Sequence, residues 1–114
     1  YSDKPKEKGQ RIMIYVLATI EVKEGAREEF LKIFKANVPA VKAENGCIMY
    51  QPTIDFDSGM DAQKHIPGNV VTIIEGWACV ECLKKHLASP HMLKYKQDVK
   101  DLVKGTTLNI VEPA

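Results

Sequence analysis

Apolar and polar residues alternate from Arg11 to Val22, the period-two signature of a β-strand. Ile12, Ile14, Val16, Ala18, Ile20 and Val22 share one face. Met13, Tyr15 and Leu17 share the other, which turns polar at Thr19 and Glu21. Such a strand needs cover on both sides. After a turn at Lys23-Glu24-Gly25 the period becomes helical: Ala26, Phe30, Ile33, Phe34, Val38 and Val41 recur on one side, with Arg27, Glu28, Glu29, Lys32 and Lys35 opposite. Pro39 lies inside this pattern and is expected to kink or restart the helix, since it lacks an N–H and crowds the preceding turn. Glu44-Asn45-Gly46 then closes it, with Asn or Gly suited to a left-handed cap.

Cys47 to Gln51 reads as a second strand, and Pro52 to Gly68, with its Pro, Gly and Asp, as a long loop of the kind that can serve as a lid. Val70 to Trp77 is a third strand, apolar on both faces. Cys79, Cys82, Leu83, His86 and Leu87 form the stripe of a short amphipathic helix. Ser89 and Pro90 restart the chain as N-cap and first helical residue. Met92, Tyr95, Val99 and Leu102 make the next helical stripe; Gly105 is expected to end it, before a last strand from Thr106 to Val111. The order β-α-β-β-α-α-β predicts an α+β fold, the ferredoxin-like split βαβ plan with a four-stranded antiparallel sheet. Helices on one face leave the other bare. Here that bare face would carry Met13, Tyr15, Leu17 and apolar residues of the third strand, which predicts burial against a second copy, a homodimer with stacked sheets.

Composition narrows the partners. Sixteen basic residues against fifteen acidic ones give a net charge of +1, which argues against nucleic acid and against an anionic membrane surface. No apolar run approaches the roughly 18 residues of a membrane span. Residues 1–10 are polar and Lys-rich and are expected to be a flexible segment, with residues 11–114 forming the one domain. Three cysteines are too few for a disulfide scaffold, so a cytoplasmic setting is expected.

His86 is the most informative candidate, because a stripe of Cys and Leu has placed an imidazole inward. It is either a core His satisfied by one hydrogen bond or an acid–base group at a pocket wall. His91 stands near a helix start, where packing and chemistry are equally open readings. Trp77 and Glu75 share a strand face; Trp77 reads as core or as a flat wall for an aromatic ligand, and Glu75 needs a partner or a polar spot in a cavity. Cys79-Val80-Glu81-Cys82 has redox spacing at a helix start, but the element order is not thioredoxin-like and both cysteines fit the apolar stripe. A zinc site from Cys79, Cys82 and His86 would lack a fourth ligand. His65, in the long loop, reads as solvated.

Three segments resemble the antibiotic biosynthesis monooxygenase (ABM) superfamily, in particular its quinol monooxygenase branch. Glu44-Asn45-Gly46-Cys47-Ile48-Met49-Tyr50 is similar to the family's E-x-G-C-x-x-Y, Glu75-Gly76-Trp77 to its E-x-W, and His86-Leu87-Ala88-Ser89-Pro90-His91 to its H-x-x-[ST]-P-H. The resemblance implies a dimeric α/β barrel with a pocket between sheet and helices, and oxygenation of a quinol or polyphenol by O2 without metal, flavin or other cofactor. It implies His86 as catalytic base, with Trp77, Glu75, Tyr50 and His91 at the substrate pocket. Ile73 stands where some aromatic-polyketide oxygenases carry Asn, and Ala18 where haem-degrading members carry Asn, which disfavours haem degradation. Two other functions remain open: proton transfer on a small carbonyl compound, and ligand binding without turnover.

Overall fold

A computed structural model describes residues 12–114; the expectation of a flexible start at residues 1–10 lies outside the described residues. The elements run β1 (Ile14–Val22), α1 (Arg27–Lys42), β2 (Cys47–Thr53), β3 (Val70–Trp77), α2 (Val80–Leu87), α3 (Pro90–Val99) and β4 (Val103–Val111). The four strands form one antiparallel sheet in the order β2-β3-β1-β4. Two long connections, each helical, place β1 and β3 side by side at the centre. This is the ferredoxin-like α+β arrangement that the alternation of periods predicts.

Period two decides the layering. On β1, Ile14, Val16, Ala18, Ile20 and Val22 are all buried beneath the helices, while Leu17, Thr19 and Glu21 on the other face are exposed. On β3 the covered face holds Val71, Ile73, Glu75 and Trp77. α1 contributes Phe30, Leu31, Phe34 and Val41 to the same core, and α3 contributes Met92, Tyr95 and Val99. Phe34 stacks on Tyr50 at a ring separation of 5.4 Å and meets Tyr95 edge-on at 5.5 Å, so aromatic contacts tie β2, α1 and α3 together.

Three expectations are corrected. Of the two outcomes expected at Pro39, the restart is absent: α1 continues through it to Lys42. The carbonyl deprived of its N–H belongs to Lys35, an exposed residue that water can reach, and Ala43 N–H still closes the last turn on Pro39 O at 3.1 Å. β2 runs on to Thr53, past Pro52, because β2 is an edge strand where a missing donor does no harm. Gly105 does not terminate α3, which stops at Val99; it lies inside β4 opposite Glu21, beside a register shift at Glu21/Val22.

The uncovered face of the sheet is apolar at its centre. Leu17 is 40% exposed, Met49 38% and Val111 47%, with half-buried Met13, Tyr15 and Ile74 beside them. Gly76 sits among Met13, Ile48 and Met49, where the missing side chain leaves the patch level.

Candidate functional site

Between the helices and the covered face of the sheet lies a cavity of about 490 Å³. Ala18, Ile20, Ile73 and Val99 give it apolar walls; Glu75, His86 and Tyr50 bring polar atoms to it, and Lys96 and Lys100 of α3 and its cap border it. A volume of this size suits a one- or two-ring molecule. Ala18 and Ile73 offer it only hydrocarbon.

Local sequence chemistry positions each polar group. α2 begins at an N-cap, Cys79, whose Sγ accepts the backbone N–H of Cys82 at 3.3 Å. Cys82 in turn packs on Gly46, whose φ is +87°; a Cβ there would stand 2.4 Å from the Cys82 sulfur. The C-x-x-C spacing thus serves a helix start and a close approach. The cap orients α2 so that Cys82, Leu83 and His86 point inward, with His86 only 1% exposed. Ser89 caps α3, accepting the Met92 N–H, and its hydroxyl donates to the His86 carbonyl at 2.7 Å. The Ser-Pro pair therefore fixes the angle at which α3 leaves α2, and with it the position of His91 relative to His86.

His86 is held by a residue that reading the sequence did not single out. Its Nδ1 bonds the Glu44 carboxylate, at 2.9 Å to one oxygen and 3.2 Å to the other. The ring lies against Trp77 (4.6 Å between centroids) and Tyr50 (5.4 Å). With Nδ1 committed to Glu44, Nε2 is the nitrogen left for the cavity that the ring lines. Burial pushes the His86 pKa below its ordinary value, against the opposing pull of the Glu44 hydrogen bond and charge. That favours a neutral imidazole able to accept a proton at Nε2. Glu44 opens the E-x-G segment, and its place in that motif was the one signal available; its partners lie 42 and 47 residues away.

Glu75 answers the question its position raised. Its Oε1 accepts the Trp77 Nε1–H at 2.9 Å. Burial outweighs that bond and, with the Glu44 charge adding to it, raises the carboxyl from 4.5 to about 7. A carboxyl poised there can give or take a proton near neutral pH. Tyr50, 3% exposed, has its phenol pushed well above 10 by burial, so it stays a neutral hydrogen-bonding group.

Two expected pocket residues stand elsewhere. Trp77 is fully buried and supports Glu75 and His86 from behind, without facing the cavity. His91, 30% exposed in its side chain, borders a different groove between α1 and α3 and bonds Glu44 at 2.5 Å. The structure brings together His86, Glu75 and Tyr50 at the cavity and leaves Trp77 and His91 one layer out. His65 belongs to an exposed loop network with Asp55 and Gln63, where Ile66 N–H also bonds Asp55.

Glu44, His86 and His91 offer three donor atoms within 4.8 Å of one another. Their spacing is that of hydrogen bonds. Donors around a shared ion at bond lengths of about 2.1 Å stand about 3 Å or more apart, whereas the Glu44 oxygen lies 2.5 and 2.9 Å from the two imidazole nitrogens.

Similarity to known proteins follows the same segments. The family model described as "Antibiotic biosynthesis monooxygenase" matches residues 13–98. "Probable quinol monooxygenase YgiN" from Escherichia coli K12 is 35% identical over 103 residues, covering 89% of this chain and 98% of that protein. Among solved structures, a conserved protein from Methanosarcina mazei Go1 superposes with a TM-score of 0.76 at 23% identity, covering 90% of this chain and 94% of the other. A "putative antibiotic biosynthesis monooxygenase" from Caulobacter crescentus CB15 gives 0.76 at 24% identity, covering 91% and 92%. These two likenesses speak for the fold alone. Among the described residues, no helix is long and apolar enough to cross a membrane.

Proposed function

The chain belongs to the antibiotic biosynthesis monooxygenase family, and from that premise we propose that it oxidises a quinol or polyphenol-type aromatic with O2, using no cofactor. The observation that carries the reading is a buried imidazole whose Nδ1 is fixed by Glu44, so that Nε2 is left to an apolar cavity. His86 takes a phenolic proton at Nε2. The aromatic anion then passes an electron to O2, and the radical pair joins at a ring carbon. Loss of water from the resulting hydroperoxide leaves a hydroxyquinone. For a simple hydroquinone the balance is one quinol and one O2 to one hydroxyquinone and one water, so the substrate itself is the reductant. Glu75 holds the second hydroxyl and returns a proton to the departing oxygen. The apolar walls keep water from the anion. Trp77 keeps Glu75 in place, and Tyr50 closes the cavity on the β2 side.

The active form in this proposal is a homodimer whose uncovered sheet faces stack, burying Leu17, Met49 and Val111. The test of the chemistry is oxygen uptake with a hydroquinone, against an anaerobic control. Uptake is expected from the wild type, and His86→Gln is expected to lose a factor of about 10² to 10⁴ in kcat/KM. Absence of uptake with any quinol or polyphenol would overturn it. A second reading is favoured by the two proton-carrying groups on one cavity, His86 and Glu75: proton transfer on a small carbonyl compound, which would proceed unchanged without oxygen.

A further inference from the structure

The proposed base accounts for where the substrate proton goes and leaves open how the charge it creates on a buried ring is balanced. His86 is 1% exposed and has no direct exit to water. One oxygen of Glu44, however, bonds both His86 Nδ1 and His91 Nε2. The three side chains step outward in exposure, from 1% at His86 through 14% at Glu44 to 30% at His91. Hydrogen-bond accounting fixes the direction of each bond. The single Ser89 hydroxyl proton goes to the His86 carbonyl, so toward His91 Nε2, 3.2 Å away, Ser89 can only accept. The Glu44 carboxylate accepts as well. His91 Nε2 therefore carries a hydrogen, and the other ring nitrogen is the one through which that ring can exchange with solvent.

We propose that Glu44, shared between the two imidazoles, couples them as a proton exchanger, in which a proton taken from substrate by His86 in the cavity is balanced by one released from His91 to solvent. One carboxylate charge compensates one imidazolium at a time. While His86 is neutral, the Glu44 charge is left to its bond with His91. When the substrate O–H bond breaks and an N–H bond forms at His86 Nε2, the new imidazolium takes over Glu44, and His91 gives up a proton to water. No proton has to cross Glu44 and no oxidant or reductant is involved; the exchange runs back when His86 returns its proton to the peroxide oxygen formed in the cavity and His91 takes one up from solvent. Glu44 and His91 are positioning residues here, because neither touches the cavity. The groups that set the charge balance at His86 are Glu44 at the end of α1, His91 and Lys96 from α3, Glu75 from β3 and Tyr50 from β2. The His91 charge already acts to lower the His86 pKa, as the exchange requires. The inference rests on His86 as the base of the reaction proposed above.

Imidazole NMR titration of His86 tests it without any substrate, alongside oxygen uptake with hydroquinone. His91→Asn removes the competing cation and is expected to raise the His86 midpoint by about one unit; Glu44→Gln is expected to lower it by about one unit. In turnover, the acid limb of the kcat/KM profile, where His86 is already protonated, is expected to move up by about one pH unit in His91→Asn and down by about one in Glu44→Gln. A purely structural His91 would move neither the His86 midpoint nor the acid limb of the profile. His91→Gln serves as the second variant should the first fail to fold. A His86 midpoint unmoved in whichever variant folds, with the acid limb of kcat/KM unmoved as well, overturns the exchanger while leaving wild-type oxygen uptake as evidence for the oxygenase. Coupled titration without any uptake has the opposite effect: it supports the exchanger and sinks the oxygenase reading.

Discussion

The two faces of the sheet have the same strands and opposite fates. On the covered face, Val16, Val22, Val71 and Trp77 are wholly buried, and two ionisable groups, Glu75 and His86, are buried with them. On the uncovered face, Leu17, Met49 and Val111 stand 38–47% exposed around Gly76, and the carboxylate Glu21 lies at the far end of β1, exposed and paired with Lys104. Burying a carboxyl and an imidazole is costly, and the covered face offsets the cost by giving each a partner, Trp77 for one and Glu44 for the other. The uncovered face buries nothing polar and has no such need. The difference teaches that the covered face can keep ionisable groups inside the fold because each has a partner, whereas the other presents an apolar patch with nothing polar to satisfy.

Breaking the covered face should have the largest effect. Trp77→Ala removes a fully buried indole together with the donor to Glu75. The expected cost is about 3–5 kcal/mol of stability, read by urea unfolding. A loss below about 1 kcal/mol would mean that Trp77 does not anchor this face.

On the other face the expected damage is to association instead. Leu17→Asp places a charge at the centre of the proposed stack. Sedimentation of the wild type should report a dimer at micromolar concentration and the variant a monomer, with the variant monomer's own fold unchanged by circular dichroism. A wild type that remains a single chain at such concentrations would erase the proposed difference between the faces.

Glu75 gives a signature in pH. Its carboxyl holds its proton to about pH 7 in the folded chain and to 4.5 without burial. The folded state therefore binds more protons than the unfolded one between those values, and stability falls as pH rises from 4.5 to 7, by about 3 kcal/mol in all. Glu75→Gln keeps an oxygen for the Trp77 N–H and removes the titration. It should flatten this part of the profile and leave the variant the more stable protein at pH 8, by about 2–3 kcal/mol. An unchanged slope in urea titrations at pH 5, 6, 7 and 8 would show that Glu75 is not buried as an acid.

What could be read beforehand follows the same division. The layering was legible because alternation on β1 and β3 is local, and so was the bare apolar face. The cap at Ser89-Pro90 is also a local signal. Glu44 was not legible as the partner of two histidines, because apart from its place in the E-x-G segment nothing local distinguishes it from a solvated residue at a helix end. Trp77 was placed on the right face, yet strand alternation cannot tell a cavity wall from the layer behind it. The run from Val103 to Gly105 reads as a helix end, and pairing with β1 makes it strand. Long-range pairing overrode local preference there, as at Pro52 on the sheet edge.

The smallest expected effect concerns the junction that drapes α2 and α3 over the covered face. Ser89 accepts the Met92 N–H and the His91 Nε2–H and donates to the His86 carbonyl, so one hydroxyl joins the cap of α3 to the end of α2. Ser89→Ala should cost about 1 kcal/mol, the ordinary worth of a helix N-cap. Its diagnostic value lies in what it leaves alone, since Ser89 touches neither the uncovered face nor the cavity. Association should be unchanged by sedimentation, while thermal unfolding shifts by a few degrees. The proton exchange proposed for Glu44 should survive as well, because Glu44 keeps both of its bonds to the imidazoles. A Ser89→Ala protein that unfolded as readily as Trp77→Ala would place the anchor of the covered face in the helix junction rather than in the sheet.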